Sequence, residues 1–191
     1  MKKTILSSLL AIAAAAPIAS YAVNGTITFQ GNVTGQTCVI NGGTPSFTVL
    51  MDTVPTSALA RDGEPADIKN NSIKFTLTGC TQNGATPAAN GAVRVRFEGG
   101  STVNPVTKRL INTTGAAFAT NVEVGLINTD YSDIQIGGDQ TAGNPYVPIT
   151  GDAASGNGTA TLFYGTKYVA TSGPAGKGKV TTTVQYSLDF Q

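Results

Sequence analysis

Hydrophobic and polar residues alternate along this chain in a series of short runs, and the longest run comes first. From Val23 to Gln36 the odd positions are Val23, Gly25, Ile27, Phe29, Gly31, Val33 and Gly35, while the even positions are Asn24, Thr26, Thr28, Gln30, Asn32, Thr34 and Gln36. A period of two is that of a β-strand with one face buried. Fully extended, the run reaches roughly 45 Å at about 3.3 Å per residue. A domain of this size has a radius of gyration of only about 15 Å. The pattern therefore fits either the first strand of an all-β domain or a free N-terminal arm that adds a strand to another sheet.

The same alternation recurs to the end of the chain. Phe47, Val49 and Met51 predict the next strand, and Ile73, Phe75 and Leu77 another that ends at Gly79-Cys80. Between them, residues 52–70 hold Pro55, Gly63 and Pro65 and predict a surface connection with one helical turn near Ser57 to Ala60. Val93, Val95 and Phe97 alternate with Arg94, Arg96 and Glu98, which predicts a strand with one wet face. Shorter strands are expected at Leu110-Ile111, Val122 to Leu126, and Ile134 to Ile136. An aromatic-rich strand follows over residues 160–169, with a bulge at Gly165. The last strand sets Val180, Val184, Tyr186, Leu188 and Phe190 against Thr181, Thr183, Gln185, Ser187, Asp189 and Gln191, with Thr182 the one polar residue on the apolar side. Many short strands separated by turn signals, with no long amphipathic helix, predict an all-β sandwich.

The first 22 residues change the picture of the N-terminus. Lys2 and Lys3, the apolar run Ile5 to Ala16, Pro17 and Ser20-Tyr21-Ala22 form the pattern of a signal peptide cleaved after Ala22. The apolar run is too short to span a bilayer, which needs about 20 residues. Cleavage leaves 169 of the 191 residues and makes Val23 a chain terminus. Removing Lys2 and Lys3 from the 12 basic residues leaves 10 against 11 acidic ones, a net charge of −1. That balance gives no nucleic-acid footprint and no polybasic membrane patch. Export also places the two cysteines, Cys38 and Cys80, in an oxidising compartment. A structural disulfide is favoured over a metal pair or a catalytic thiol, since two ligands make a poor metal site and the chain has no histidine. Closing so long a loop stabilises by roughly 4 kcal/mol in the chain-entropy account.

Catalytic chemistry is scarce. The commonest general base and metal ligand, histidine, is absent. Asp62, Glu64 and Asp67 fall in a Pro/Gly-rich stretch and suit a solvated acidic patch. Asp130 and Asp133 match no calcium-loop spacing. No phosphate-cradling glycine motif and no activated-serine elbow occurs. An enzyme is not expected, nor a cofactor, nor a catalytic or metal site.

Four features resemble the fimbrial (pilin) subunits of the chaperone–usher pathway, type 1 major subunits among them. They are the alternating arm with Gly25 leading to Cys38; Pro55-Thr-Ser-Ala-Leu59 followed by Phe75-Thr-Leu-Thr-Gly-Cys80; Leu110-Ile-Asn-Thr-Thr-Gly115 leading to Asn121-Val-Glu-Val-Gly-Leu126; and the C-terminus, with Phe190 next to last and Gly178 fourteenth from the end. Phe190 departs from the family's usual tyrosine, and Gly165-Thr166 from its usual small-residue spacing. The resemblance implies an incomplete immunoglobulin-like β-sandwich over residues 37–191, completed by a donated strand, with residues 23–36 as the N-terminal donor extension after the signal peptide 1–22. It implies that Val23, Gly25, Ile27, Phe29 and Val33 form the donor strand. It implies that Gly178, Val180, Val184, Tyr186, Leu188 and Phe190 line the strand that a chaperone, and later a neighbouring subunit, pairs with. The partners so implied are a periplasmic chaperone, an outer-membrane usher and identical or related pilin subunits in a head-to-tail polymer at the cell surface, with a host surface as a further candidate. Two rival readings are a minor adhesive subunit and a freestanding secreted carbohydrate-binding sandwich.

Overall fold

The computed structural model describes residues 35, 37–81, 91–140 and 143–191. The expected signal peptide, residues 1–22, and the expected donor residues Val23, Gly25, Ile27, Phe29 and Val33 lie outside the described residues. Two sheets face each other. The larger has the order β1 (Thr37–Ile40), β2 (Pro65–Thr81), β8 (Asn157–Ala170), β5 (Val122–Ile127) and β4 (Leu110–Ile111), with β7 (Thr150–Asp152) also paired to β8. The smaller has the order β6 (Val147–Pro148), β3 (Ala92–Phe97) and β9 (Tyr186–Phe190). All these pairings are antiparallel.

Alternation decides which residues meet between the sheets. Phe75 and Leu77 of β2, Leu162 and Tyr164 of β8, and Val124 and Leu126 of β5 are buried against Val93, Val95 and Phe97 of β3. Phe97 meets Tyr164 edge-on at 5.2 Å between ring centroids, and Phe75 meets Tyr186 of β9 at 4.9 Å. Such edge-to-face pairs add about 0.5–1.5 kcal/mol beyond area burial. Cys38 and Cys80 form a disulfide that ties β1 to β2, with Cα atoms 4.1 Å apart.

Several sequence expectations need correction, each for a local reason. Residues 65–70 belong to β2 and not to a surface connection. The ladder there is interrupted between Ala66 and Lys69 and again between Lys69 and Ile73, and Asp67 has a φ of 50°, so the alternation is broken although the pairing continues. The helical turn is a 3-10 turn at Thr56–Leu59. The irregularity at Gly165 lies in its partner: β2 passes from Lys69 to Ile73 while β8 passes only from Thr166 to Tyr164, so the extra residues are on β2. Ile134 and Ile136 are buried but form no strand; their amides donate singly to the carbonyls of Leu126 and Lys108. Phe47, Val49 and Met51 lie in an extended segment outside any ladder, because no strand among the described residues lies beside it.

The acidic residues close turns and do not form a free patch. The Glu64 carboxylate accepts from the amides of Ala60 and Arg61, Asp62 from that of Ser172, and Asp67 from that of Asp52 while facing Lys69. Asp130 accepts from Ser132, and Asp133 pairs with Lys167.

Gly165 shows why the strand carries a glycine. A Cβ there would lie 2.0 Å from the Lys69 carbonyl oxygen and 2.5 Å from the Asn70 Cα, both backbone atoms of the β2 bulge. Overpacking of this kind costs about 1–3 kcal/mol and sometimes more. Gly165→Ala is therefore expected to lower stability by about 3 kcal/mol in denaturant unfolding. Gly100→Ala, where a Cβ meets nothing within 4 Å, should stay within about 0.5 kcal/mol of the parent.

Candidate functional site

Because the 45–56 segment joins no ladder among the described residues, an open groove separates it from the C-terminal segment, bridged at one end by the Tyr186 hydroxyl, which donates to the Pro45 carbonyl at 2.6 Å. Two cavities of 670 and 660 Å³ run along it and share Met51, Tyr168, Val180 and Thr181 in their walls. One wall is residues 45–56 and the other residues 175–186; the floor is the sandwich core itself, with Ile73, Phe75, Phe97, Leu110, Val124 and Leu126. The first wall carries apolar side chains that face no partner strand: Leu50 is 86% exposed and Phe47 43%. Phe47 still stacks edge-on to Phe75 at 5.3 Å, so it belongs to the rim of the core.

The opposite wall contains Gly178, Val180, Val184 and Tyr186 of the residues expected of the pairing strand, while Leu188 and Phe190 follow on β9 beyond the cavity lining. Only Tyr186–Phe190 forms a ladder, opposite Phe97 to Val93 of β3. Residues 179–185, expected as part of the same strand, join no ladder beyond an isolated bridge at Lys179 and are held by hydrogen bonds to the odd residues. Asn112 takes the place of a strand there: its Nδ2 donates to the carbonyls of Ala119 and Lys179, and its Oδ1 accepts from the Thr181 amide. The Thr113 amide and hydroxyl donate to the Thr181 carbonyl, the Thr102 hydroxyl to that of Thr183, and the Glu98 amide to that of Gln185.

These partners all fall on odd residues. Gln191 exchanges both backbone hydrogen bonds with Ala92, so Phe190, Leu188 and Tyr186 are the non-hydrogen-bonded positions of the β3–β9 ladder. Tyr186, Leu188 and Phe190 thus turn their N–H and C=O groups away from β3, and from Val180 to Val184 the even residues likewise lie opposite to the partnered odd ones. Among the described residues no backbone group pairs with them. Their side chains Val180, Val184, Tyr186, Leu188 and Phe190 pack on the core yet are only half-buried. Thr182, the polar residue on this face, has a buried hydroxyl with no partner among the described residues.

Gly178, the sixth expected residue, begins this wall. A Cβ at Gly178 would lie 2.4 Å from both the Ala119 amide nitrogen and the Phe118 carbonyl carbon, and its φ is 150°. The close approach lets Lys179 exchange hydrogen bonds with Ala117 and Ala119, which turns the chain into the groove wall.

The far end of the wall is fixed by a charge. Arg94, expected on a wet face, is 5% exposed. Its Nη2 lies 2.7 Å from Asp189 Oδ2, and its Nε donates to the same oxygen at 2.8 Å. Its guanidinium carbon sits 4.4 Å from the centre of the Tyr146 ring, whose hydroxyl also donates to Asp189. Burial, followed by the hydrogen bond to Asp189, raises the Tyr146 phenol above its ordinary value, so it stays a donor. Neither Arg94 nor Asn112 carries a sequence signal: each is one polar residue in a run, with its partners at distant positions.

Comparison with known proteins bears on what such a groove is for. A family model described as "Fimbrial protein" matches residues 27–191. The major fimbrial subunit SMF-1 of Stenotrophomonas maltophilia (strain K279a) is 40% identical over 118 residues, which is 61% of this chain and 64% of that protein. The F17 fimbrial protein of Escherichia coli is 36% identical over 121 residues, 62% of this chain and 63% of that protein. The chain thus spans just under two thirds of the length of those two relatives. The type-1 fimbrial protein A chain of Escherichia coli (strain K12) is 26% identical over 165 residues, 86% of this chain and 83% of that protein. Among solved structures, a chaperone–usher pilus subunit superposes with a TM-score of 0.57 at 18% identity, covering 92% of this chain and all of that one. The P pilus rod subunit PapA superposes with a TM-score of 0.55 at 15% identity, covering 81% and 99%. At these identities the two structures show a shared fold.

The Arg94–Asp189 pair generates an expectation of its own. Asp189→Ala leaves a buried guanidinium with only carbonyl and ring contacts, and should cost about 2 kcal/mol, below the full cost of a broken buried pair because Asp189 is partly exposed. Arg94→Met combined with Asp189→Leu should recover only part of that loss, since the Gln140 and Asn144 carbonyls and the Tyr146 hydroxyl also lose their partners. Denaturant unfolding of the exported protein and both variants measures this.

Proposed function

Since the chain belongs to the fimbrial protein family, we propose that it is a structural subunit of a cell-surface fimbria that polymerises by exchanging N-terminal strands between copies. Residues 1–22 direct export and are removed, residues 23–36 are the donor arm, and residues 37–191 are the acceptor sandwich. A periplasmic chaperone occupies the groove first. At an outer-membrane usher the arm of the next subunit, identical or related, replaces it. Members of this family are structural subunits and not enzymes, and the polymer supports adhesion.

The observation that carries this reading is the groove. Its floor is apolar core, and its β9 wall turns unpaired backbone groups outward at every second residue from Val180 to Phe190. A strand laid there meets both demands at once: its backbone pairs with the even residues of the wall and its alternate side chains cover the floor. The arm has the matching pattern. Ile27, Phe29 and Val33 would each contribute about 1.5–3 kcal/mol by burial, and Gly25 lets the arm backbone approach where a side chain would hold it off. Every subunit gives one arm and receives another, so the contact is heterologous and does not close, which produces a fibre.

The arm is tested without touching the acceptor fold. Gly25→Leu is expected to leave an exported, disulfide-bonded subunit that co-purifies with its chaperone, while electron microscopy of the cells shows few or no fibres. Phe190→Ser is expected to lower periplasmic accumulation, since it removes an apolar anchor from the wall that is paired. Fibres of normal length and abundance from Gly25→Leu cells, or a wild-type protein isolated as a lone folded monomer, would overturn the proposal.

A further inference from the structure

The sheet that offers the β9 edge has a second edge, on β3. Toward β9, Ala92, Arg94, Arg96 and Glu98 present their backbone groups, as the hydrogen bonds of Ala92 with Gln191 and of Glu98 with Gln185 show. Val93, Val95 and Phe97 therefore turn their N–H and C=O groups the other way. β6 covers only Ala92 and Val93 on that side. Among the described residues no strand lies beside the N–H and C=O groups of Val95 and Phe97, and the one backbone group that reaches them is the Gly137 amide, which donates to the Phe97 carbonyl at 3.0 Å.

Three side chains take their place. Gln140 engages Phe97 from both ends of its amide, Oε1 accepting from the Phe97 N–H at 3.1 Å and Nε2 donating to the Phe97 carbonyl at 2.6 Å. Asn144 Nδ2 donates to the Val95 carbonyl at 2.5 Å. The Val95 N–H donates to the Tyr164 hydroxyl at 3.0 Å, and that hydroxyl donates on to Asn144 Oδ1 at 3.1 Å. Burial pushes the Tyr164 phenol up to about 12, so it stays protonated and can serve both bonds. Gln140 and Asn144 are 1% and 0% exposed, and Arg94 Nη1 pins their backbone by donating to both carbonyls at 3.3 and 3.2 Å.

We propose that Gln140, Asn144 and Tyr164 act as a side-chain surrogate for a strand, closing the β3 edge so that strand addition is confined to the β9 edge. A primary amide presents a donor and an acceptor in one plane, as a peptide group does. Two amides and a hydroxyl therefore satisfy four ladder groups without offering an edge of their own for further pairing. The alternative, an open β3 edge, would give each subunit two places to receive an arm, and the chain of subunits would branch or pair sideways. The identity of the added strand rests on the fimbrial reading; the closure of the edge does not.

Hydrogen exchange on the exported full-length protein, in whatever assembly state it is isolated, tests the closure at residue level. In the wild type the Val95 and Phe97 amides should be as slow as those of Arg94 and Arg96. In Gln140→Met with Asn144→Leu the Phe97 amide, which loses its acceptor Gln140 Oε1, should exchange roughly tenfold faster or more, the scale set by losing bonds worth about 1 kcal/mol each. The Val95 amide keeps the Tyr164 hydroxyl and should change less. The Arg94 and Arg96 amides should be unchanged. Electron microscopy of the double variant should show branched or laterally bundled fibres where the wild type shows single ones. If the double variant is not exported, Gln140→Met alone, which removes the acceptor of the Phe97 amide, is read in the same way at Phe97. Wild-type Val95 and Phe97 amides that exchange like loop amides would overturn the inference. So would variants with unchanged exchange and single fibres. A wild type that forms no fibres would instead overturn the assembly reading, and the exchange comparison would still report on the edge.

Discussion

A β-strand with a neighbour on one side only has half of its backbone polar groups unmet, and an incomplete sandwich has a strip of core exposed beside it. In this protein the two deficits coincide. The even residues from Val180 to Phe190 carry both the outward-facing N–H and C=O groups and the apolar side chains that are only half-buried. Everything else in the groove follows from that coincidence. The wall at 45–56 meets the opposite wall only where the Tyr186 hydroxyl donates to the Pro45 carbonyl, and the floor is apolar because it is the inner face of β2, β5 and β3. An edge of this kind is an aggregation hazard unless something occupies it. A donated strand is the occupant that matches both deficits, because pairing and burial are supplied by the same residues of the incoming chain.

The two edges of the smaller sheet show how differently one constraint can be met. On β3 the unmet groups are answered from within the chain by Gln140, Asn144 and Tyr164, at the cost of burying two amides and a phenol. On β9 they are left for a partner. Arg94 links the two sides, since it holds Asp189 of β9 with one part of its guanidinium and the carbonyls of Gln140 and Asn144 with another. The closed edge and the open one are thus braced by the same buried charge.

Much of the fold was legible because period-two patterning reports directly which face of a strand is buried. Val93-Val95-Phe97, Ile73-Phe75-Leu77 and Val180 to Phe190 all lie where alternation placed them. Legibility failed where backbone geometry broke the period, as at Asp67 and the β2 bulge opposite Gly165. It also failed where alternation was correct but the partner was not a strand. Residues 179–185 keep the right faces, yet Asn112 and neighbouring hydroxyls hold them. Phe47 to Met51 alternate cleanly with no strand described beside them. The groove could be inferred only through family resemblance, since a missing strand leaves no mark on the sequence of the domain that lacks it. Arg94, Asn112, Gln140 and Asn144 were not legible at all. Each is one polar residue whose meaning comes from contacts tens of positions away.

The Cys38–Cys80 disulfide has a mechanical consequence. In a fibre of the kind proposed, tension would enter each subunit at the end of the domain that begins with Thr37. β1 is only four residues long and meets β2 at an irregular register, Thr37 opposite Thr81 and Val39 opposite Thr78. Under load those few hydrogen bonds would peel one at a time, and the pull would then reach the core strands singly. The disulfide bypasses that weak seam. It passes the force covalently from the first turn of the domain into the end of β2, a 17-residue strand zipped along β8. In the proposed fibre the cross-link would act as the anchor bolt of a tether, leaving the non-covalent joints between subunits, and not the short β1 strand, as the place that yields first.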